Sequence, residues 1–318
     1  MKTILISGVG NLGSRYLQGL ATYHEELNIT VHDVSTDSIN NARERWEEVA
    51  GGTNRHNVSY LFSLDKIPEE IDLVILSTNA DVRAKAIRSI ADRGKVRYWV
   101  LEKVLAQCLF DLNEIETITN LSNGVWVNLP RRMMFWHRKI GMSLFSDKPV
   151  KVYVGKGNVG LACNSVHYLD LASWWTNEKL VSLDTSELSS SWTKSKRQGF
   201  YEVSGTLKAV FSGGSELLLV SHSDSDNENQ IRIKTADCEW CIDEIKGVAQ
   251  CSDGMMISGK LENQSDMTGR LVESIFISEQ CALPTLDESI QIHHLFLASM
   301  LDHWNKSNGL HDTKVPIT

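Results

Sequence analysis

Thr3-Ile4-Leu5-Ile6-Ser7-Gly8-Val9-Gly10-Asn11-Leu12-Gly13 is the stretch on which the fold turns. Residues 3–7 are short, apolar and β-branched and read as a buried strand; residues 11–23 read as a helix. Between them each glycine has its own task. Gly8 permits the tight turn, Gly10 lets the backbone approach a pyrophosphate, and Gly13 lets helix and strand pack closely. The helix start at Asn11 and Leu12 offers unpaired N–H groups and partial positive charge to phosphates. A glycine triplet by itself is often only a turn. Here an acid follows, about 20 residues on: Asp33 ends a second strand over residues 28–33. A carboxylate there accepts hydrogen bonds from ribose hydroxyls and repels a 2′-phosphate. The predicted cofactor is therefore NAD rather than NADP.

The same alternation continues downstream. Helices are predicted over 36–50, 81–91 and 111–121, and strands over 72–77, 98–101 and 125–128. Strands alternating with helices imply a parallel, doubly wound sheet, so residues 1–124 are predicted to form a Rossmann domain. From residue 125 the pattern changes. Strands are predicted over 150–154, 205–211, 216–220, 230–234 and 239–242, parted by turns at Ser212-Gly213-Gly214, in the Ser-Asp-rich run 221–227 and at Asp253-Gly254. Helices are predicted over 165–175 and 286–304. Residues 125–318 thus read as an α/β domain with a large, mostly antiparallel open sheet, the last helix belonging there or packing back on the first domain. Pro149, with Ser146-Asp147-Lys148 before it, is an alternative boundary.

Composition narrows the function. The 318 residues include 42% hydrophobic and 23% charged side chains, enough for two ordinary cores, and carry a formal net charge of −8. An acidic balance gives no support to nucleic-acid or anionic-membrane binding. Six scattered cysteines in a chain this long suit a reduced, cytoplasmic protein better than a disulfide scaffold. No apolar run approaches the ~20 residues of a membrane span.

Further motifs resemble one family. Leu101-Glu102-Lys103-Val104 resembles the Glu-Lys-Pro that the Gfo/Idh/MocA oxidoreductases carry after a Rossmann strand, with Val104 in place of Pro. Ser77-Thr78-Asn79-Ala80-Asp81 resembles their Ala-Thr-Pro-x-Asp. Pro130-Arg131-Arg132-Met133 resembles their Asn-x-Arg-Phe, and the stretch from Gly160 to Leu171 their Asp-x-Gly-x-His-x-x-Asp. The order and spacing of these segments span nearly the whole chain. The resemblance implies an NAD(H)-dependent oxidoreductase that moves a hydride between nicotinamide and a hydroxyl or keto carbon of a sugar, polyol or nucleotide sugar. It also implies a homodimer or homotetramer, assembled through the open sheet face. Two other readings stand beside it: a non-catalytic NAD-binding regulator of the same fold, and a biliverdin reductase-like enzyme.

The candidate site follows. Cofactor contacts are expected from Gly8, Gly10, Asn11, Leu12, Gly13, Asp33, Ser77, Thr78, Glu102 and Lys103. Lys103 ends a parallel strand, where a cation can stabilise a developing alkoxide; its bland alternative is a salt bridge to a neighbour such as Glu102. His167 has the titration range of a general base. The resemblance makes Lys103 and His167 the catalytic pair, between two domains, with Asn164, Asp170 and Arg132 on the substrate. Asp170 reads equally as a brace for the helix. The family's Asp four residues before the His is Cys163 here, which leaves a thiol and the Asn164 amide in place of a carboxylate.

Other signals are weaker. Cys238-Glu239-Trp240-Cys241 lacks a second ligand pair and reads as strand cysteines. His293, His294 and His303 read as surface and packing residues. Lys194, Lys196 and Arg197 beside Trp192 read as a substrate loop or as exposed charge, and Trp174 and Trp175 as core or as sugar-stacking rings.

Overall fold

A computed structural model of the chain describes residues 1–51, 55–144, 149–155, 157, 160–221 and 230–318. The predicted alternation is there: β1 (Lys2–Ser7), α1 (Asn11–Leu20), β2 (Leu27–His32), α2 (Thr36–Ala50), β3 (Asn57–Leu61), β4 (Glu70–Leu76), α3 (Ala80–Ala91), β5 (Lys95–Leu101), α4 (Leu109–Thr119) and β6 (Gly124–Val127). The six strands form one parallel sheet in the order β3-β2-β1-β4-β5-β6. Strand order reverses between β1 and β4, and ligands of such sheets bind beyond the carboxyl ends of the strands at that point. Ile4, Leu5, Ile6, Leu73, Val74 and Ile75 are fully buried, because helices cover both faces of a parallel sheet. Strand β3 is not anticipated by the sequence: it is an edge strand, and its Asn57, Ser59 and Tyr60 side chains stay partly in solvent.

The chain continues with α5 (Phe135–Ser143), β7 (Lys151–Gly155), α6 (Leu161–Thr176), β8 (Leu180–Leu188) and a hairpin of β9 (Thr193–Lys194) and β10 (Tyr201–Glu202). Then come β11 (Gly205–Phe211), β12 (Glu216–Ser221), β13 (Gln230–Lys234), β14 (Glu239–Asp243), β15 (Val248–Cys251), β16 (Met256–Ser258), α7 (Gln264–Ser278) and α8 (Leu286–Asn308). Eight strands form the second sheet, in the order β16-β15-β14-β13-β7-β12-β11-β8. Among the described residues its pairs are antiparallel except β7 with β12. Leu207, Ala209, Leu217 and Leu219 point to the face on which α6 packs, and the alternate residues, such as Lys208 and Leu218, point away.

Two compact units result. The first comprises Met1–Ala106, Phe110–Asn128 and Glu262–Leu286; the second comprises Gln107–Leu109, Leu129–Leu261 and Asp287–Thr318. The helix that returns to the first unit is α7, and α8 beyond Leu286 groups with the second. Helix α7 falls in a region read as mostly strands. Its start carries a capping box between Asn263 and Asp266. It docks on α1 because two glycines bring the helices close. A methyl on Gly19 would lie 2.6 Å from the Ser265 carbonyl oxygen, and one on Gly269 would collide with Thr22 Oγ1.

Ser146-Asp147-Lys148 and residues 222–227 of the Ser-Asp-rich run lie outside the described residues. No helix among the described residues is long and apolar enough to cross a membrane.

Candidate functional site

The glycine turn joins β1 to α1 as its sequence requires. Gly8 has φ +85°, a left-handed conformation that suits glycine, and its N–H donates to the His32 carbonyl at 2.9 Å. A methyl on Gly8 would lie 2.7 Å from the Thr78 nitrogen. One on Gly13 would collide with the Gly8 carbonyl oxygen and lie 2.5 Å from Ser77 Oγ, whereas one on exposed Gly10 would meet nothing within 4 Å. Gly8 and Gly13 are therefore fixed by the protein's own packing, and Gly10 faces open space. Gly10 brings no side-chain cap to α1, and no acidic residue lies in the first turn at Asn11 and Leu12, so the positive end of the helix is uncompensated. Asp33, at the end of β2, accepts from Val9 N–H at 2.8 Å and from Ser35 N–H at 2.9 Å.

The ends of β4 and β5 complete this edge. Ser77 Oγ donates to the Gly8 carbonyl. Thr78 Oγ1 is buried and has no hydrogen-bond partner among the described residues. Glu102 does not point along the edge. Its carboxylate is buried and accepts from Tyr16 Oη and from Asn128 Nδ2, each at 2.6 Å. Burial raises the Glu102 carboxyl above the usual range, against the pull of those two donors, and burial together with Glu102 raises the Tyr16 hydroxyl well above its own. Glu102 thus links the glycine-turn helix to the strand end that carries Lys103, which is half-buried and precedes a cis peptide to Val104. An uncapped helix end, an open Gly10, an anchored Asp33 and an unpartnered Thr78 hydroxyl fit the phosphates and ribose of a dinucleotide.

In the second unit α6 carries Asn164, His167 and Asp170. Asn164 Nδ2 donates to the Gly160 carbonyl at 3.1 Å, within its own helix start. His167 is half-buried. Asp170 is buried and accepts a fork from Arg132, Nε at 2.9 Å and Nη2 at 2.7 Å; Arg132 Nη1 donates to Glu288 at 2.9 Å. The structure therefore brings Arg132 and Asp170 to each other. Burial pushes the Asp170 carboxyl up to about 6, outweighing the nearby guanidinium. At the start of α6, where Cys163 stands, a carboxylate arrives from another element: Glu202 on β10 accepts from Ala162 N–H at 3.1 Å and Cys163 N–H at 3.3 Å.

The remaining signals take structural places. Arg131 pairs with buried Glu244, which also meets His137. Trp175 is buried and its indole donates to the His137 carbonyl at 3.0 Å, while Trp174 is half-exposed with the Arg132 guanidinium over its ring. Trp192 donates to His303 at 3.2 Å and meets Trp304 edge-on. His293 is buried and His294 exposed. Among the described residues no cluster of His, Cys, Asp and Glu is arranged to hold a metal ion, Cys238 and Cys241 included.

Tyr16, Asn128, Arg83 and Glu202 escaped the sequence reading. Asn128 had a signal, its place just past the end of β6. Arg83 had one too: it lies on the buried stripe of α3 with Ala80, Ala84 and Ile87. Glu202 had none, since only the folded hairpin brings it to α6.

The sequence matches no protein-family model and no curated protein. Solved structures do match. A myo-inositol dehydrogenase from Lactobacillus casei, in complex with NAD(H) and myo-inositol, is 13% identical over 97% of this chain and 95% of its own, with a TM-score of 0.69. An aldose-aldose oxidoreductase from Caulobacter crescentus, complexed with glycerol, is 16% identical over 97% and 98%, with a TM-score of 0.70. A UDP-N-acetylglucosamine 3-dehydrogenase from Acidithiobacillus ferrooxidans is 13% identical over 95% and 96%, with a TM-score of 0.69. Resemblance in sequence and likeness in structure meet on one architecture: the chain has the fold of the Gfo/Idh/MocA oxidoreductases.

Proposed function

We propose that the chain is an NAD(H)-dependent oxidoreductase that transfers a hydride between nicotinamide and a hydroxyl or keto carbon of a sugar, polyol or nucleotide sugar. The observation that carries this reading is the glycine turn, where Gly8 and Gly13 are locked by packing, Gly10 faces open space and Asp33 is anchored beside them. Solved proteins of this fold include ones bound to NAD(H) with an inositol. When bound, the cofactor supplies the hydride chemistry. The glycine turn and the α1 start hold its phosphates, Asp33 its adenosine ribose, and Ser77, Thr78 and Lys103 its remaining length. Glu102 acts from behind, through Tyr16 and Asn128. Lys103 and His167 hold and move the hydroxyl proton. Asn164 lines the substrate region. Arg132 and Asp170 reach the substrate only through their effect on the helix that presents His167. A homodimer or homotetramer assembled through the open face of the second sheet, and a cytoplasmic location, belong to the same proposal.

The test has two stages. Calorimetric titration with NADH is expected to show saturable binding; no binding would end the proposal. NADH formation from NAD⁺ is then followed with a panel of inositols, aldoses, polyols and nucleotide sugars. Lys103→Met and His167→Ala are expected to cost roughly 10²- to 10⁴-fold in kcat, with NADH affinity changed far less in the His167 variant. The second reading, a regulator that binds NAD without turnover, draws on the withdrawal of Arg132 and Asp170 into their own ion pair. NADH binding with no turnover across the whole panel would favour it.

A further inference from the structure

Arg83 is an arginine where the helix pattern calls for an apolar residue. It shares the inner stripe of α3 with Ala80, Ala84, Ile87 and Ile90 and is 1% exposed. A guanidinium in such a place is strongly disfavoured unless its N–H groups are met. Both terminal nitrogens are met by main-chain carbonyls: Nη1 donates to the Val104 carbonyl and, at 3.1 Å, to the Leu105 carbonyl, and Nη2 donates to the Thr78 carbonyl. Thr78 follows β4, whereas Val104 and Leu105 follow β5. One side chain thus ties together the two strand-end loops that carry Thr78 and Lys103. Its charge also reaches the neighbouring buried carboxylate and pulls the Glu102 carboxyl down against the effect of burial. A planar fork can serve two loops at once; a lysine ammonium is a single point and cannot span both.

We propose that Arg83 is a positioning residue: it sets the spacing of the loops after β4 and β5, and so places the Thr78 hydroxyl and the Lys103 amine for cofactor and substrate. What those two groups act on rests on the oxidoreductase reading. The loop geometry itself does not, and it can be read without any ligand.

The experiment compares wild type with Arg83→Lys and Arg83→Ala. Lysines are labelled by reductive ¹³C-methylation in the cofactor-free protein, and the Lys103 signal is assigned by its loss in Lys103→Arg. The expected result is a displaced Lys103 resonance and titration midpoint in both variants, with the other lysines unmoved. NADH titration of the same proteins is expected to show affinity lowered roughly 10- to 100-fold, partly restored in Arg83→Ala by added methylguanidinium. An unmoved Lys103 signal in a folded variant overturns the proposal. So does loss of folding in both variants, which would make Arg83 a purely structural residue. If Lys103 moves but wild type takes up no NADH, Arg83 keeps its positioning role and the oxidoreductase reading fails instead.

Discussion

The Asp33 carboxylate accepts the backbone N–H of Val9, the residue between the first two glycines, at 2.8 Å, and its second oxygen accepts from Ser35 at 2.9 Å. The acid is therefore oriented by two main-chain donors before any ligand arrives. An amide at this position keeps one acceptor and turns a donor against one of those N–H groups. Asp33→Asn is expected to weaken NADH binding about tenfold, the loss of one charge-assisted hydrogen bond. NADPH, whose 2′-phosphate the carboxylate repels, should lose less or gain. Calorimetry with both cofactors checks this, and equal losses would reduce Asp33 to a brace for the turn.

Two glycines of the same turn should answer a methyl in opposite ways. At Gly13 a methyl collides with the Gly8 carbonyl, and backbone cannot move aside cheaply. Gly13→Ala is expected to lose roughly 1–3 kcal/mol of stability to overpacking. At Gly10 a methyl meets nothing within 4 Å. Gly10→Ala should stay within about 0.5 kcal/mol of wild type in urea unfolding, yet bind NADH more weakly, because the methyl takes the space that the pyrophosphate needs. If Gly10→Ala binds NADH as wild type does, no ligand approaches that backbone.

The buried Asp170 makes stability depend on pH in a defined direction. Its carboxyl is raised from 3.8 to about 6 in the folded chain, chiefly by burial. Between those values the folded state holds a proton that the unfolded state has released. The contribution of Asp170 is complete below the unfolded value and is lost as pH rises through the folded one. The slope is about 1.4 kcal/mol per pH unit, or about 3 kcal/mol over the window. The stability of wild type relative to Asp170→Asn should fall by about that amount between about pH 4 and pH 6.5. Parallel pH profiles for the two proteins would mean that Asp170 ionises as an ordinary carboxylate beside Arg132.

The first unit was legible because its signals are local. Buried parallel strands are continuous apolar runs such as Ile4–Ile6, and the glycine turn lies within a few residues of both elements it joins. Edge strand β3 was not legible, since a strand half in solvent needs no apolar run. Helix α7 had its capping box in plain view at Asn263 and Asp266, beyond the last strand named from the sequence. At the candidate site, the sequence named Asp33, Lys103 and His167 as candidates, but what each polar group touches was not readable. Arg132 and Asp170 lie 38 residues apart and Glu102 and Tyr16 lie 86 apart. No spacing rule for helices or strands reaches so far. The inward turn of Glu102 and the mutual capture of Arg132 and Asp170 are products of the tertiary fold.

The carboxylate at the start of α6 can be isolated by a pair of substitutions. Gly160 is the N-cap of α6 and supplies no side chain; the carboxylate of Glu202 takes that place on the N–H groups of Ala162 and Cys163. Such a cap is worth about 0.5–2 kcal/mol, and Glu202→Ala should lose about that much in thermal or urea unfolding. Gly160 has φ −59° and ψ 120°, which alanine adopts without strain, but its methyl would fall on the Glu202 carboxylate. That carboxylate is the far end of a long side chain, so it is the group that yields. Gly160→Ala should therefore destabilise to the same extent as Glu202→Ala, and the double variant should be no worse than either alone. Additive losses would show that the two positions act separately, and that α6 owes its N-terminal stability to something other than Glu202.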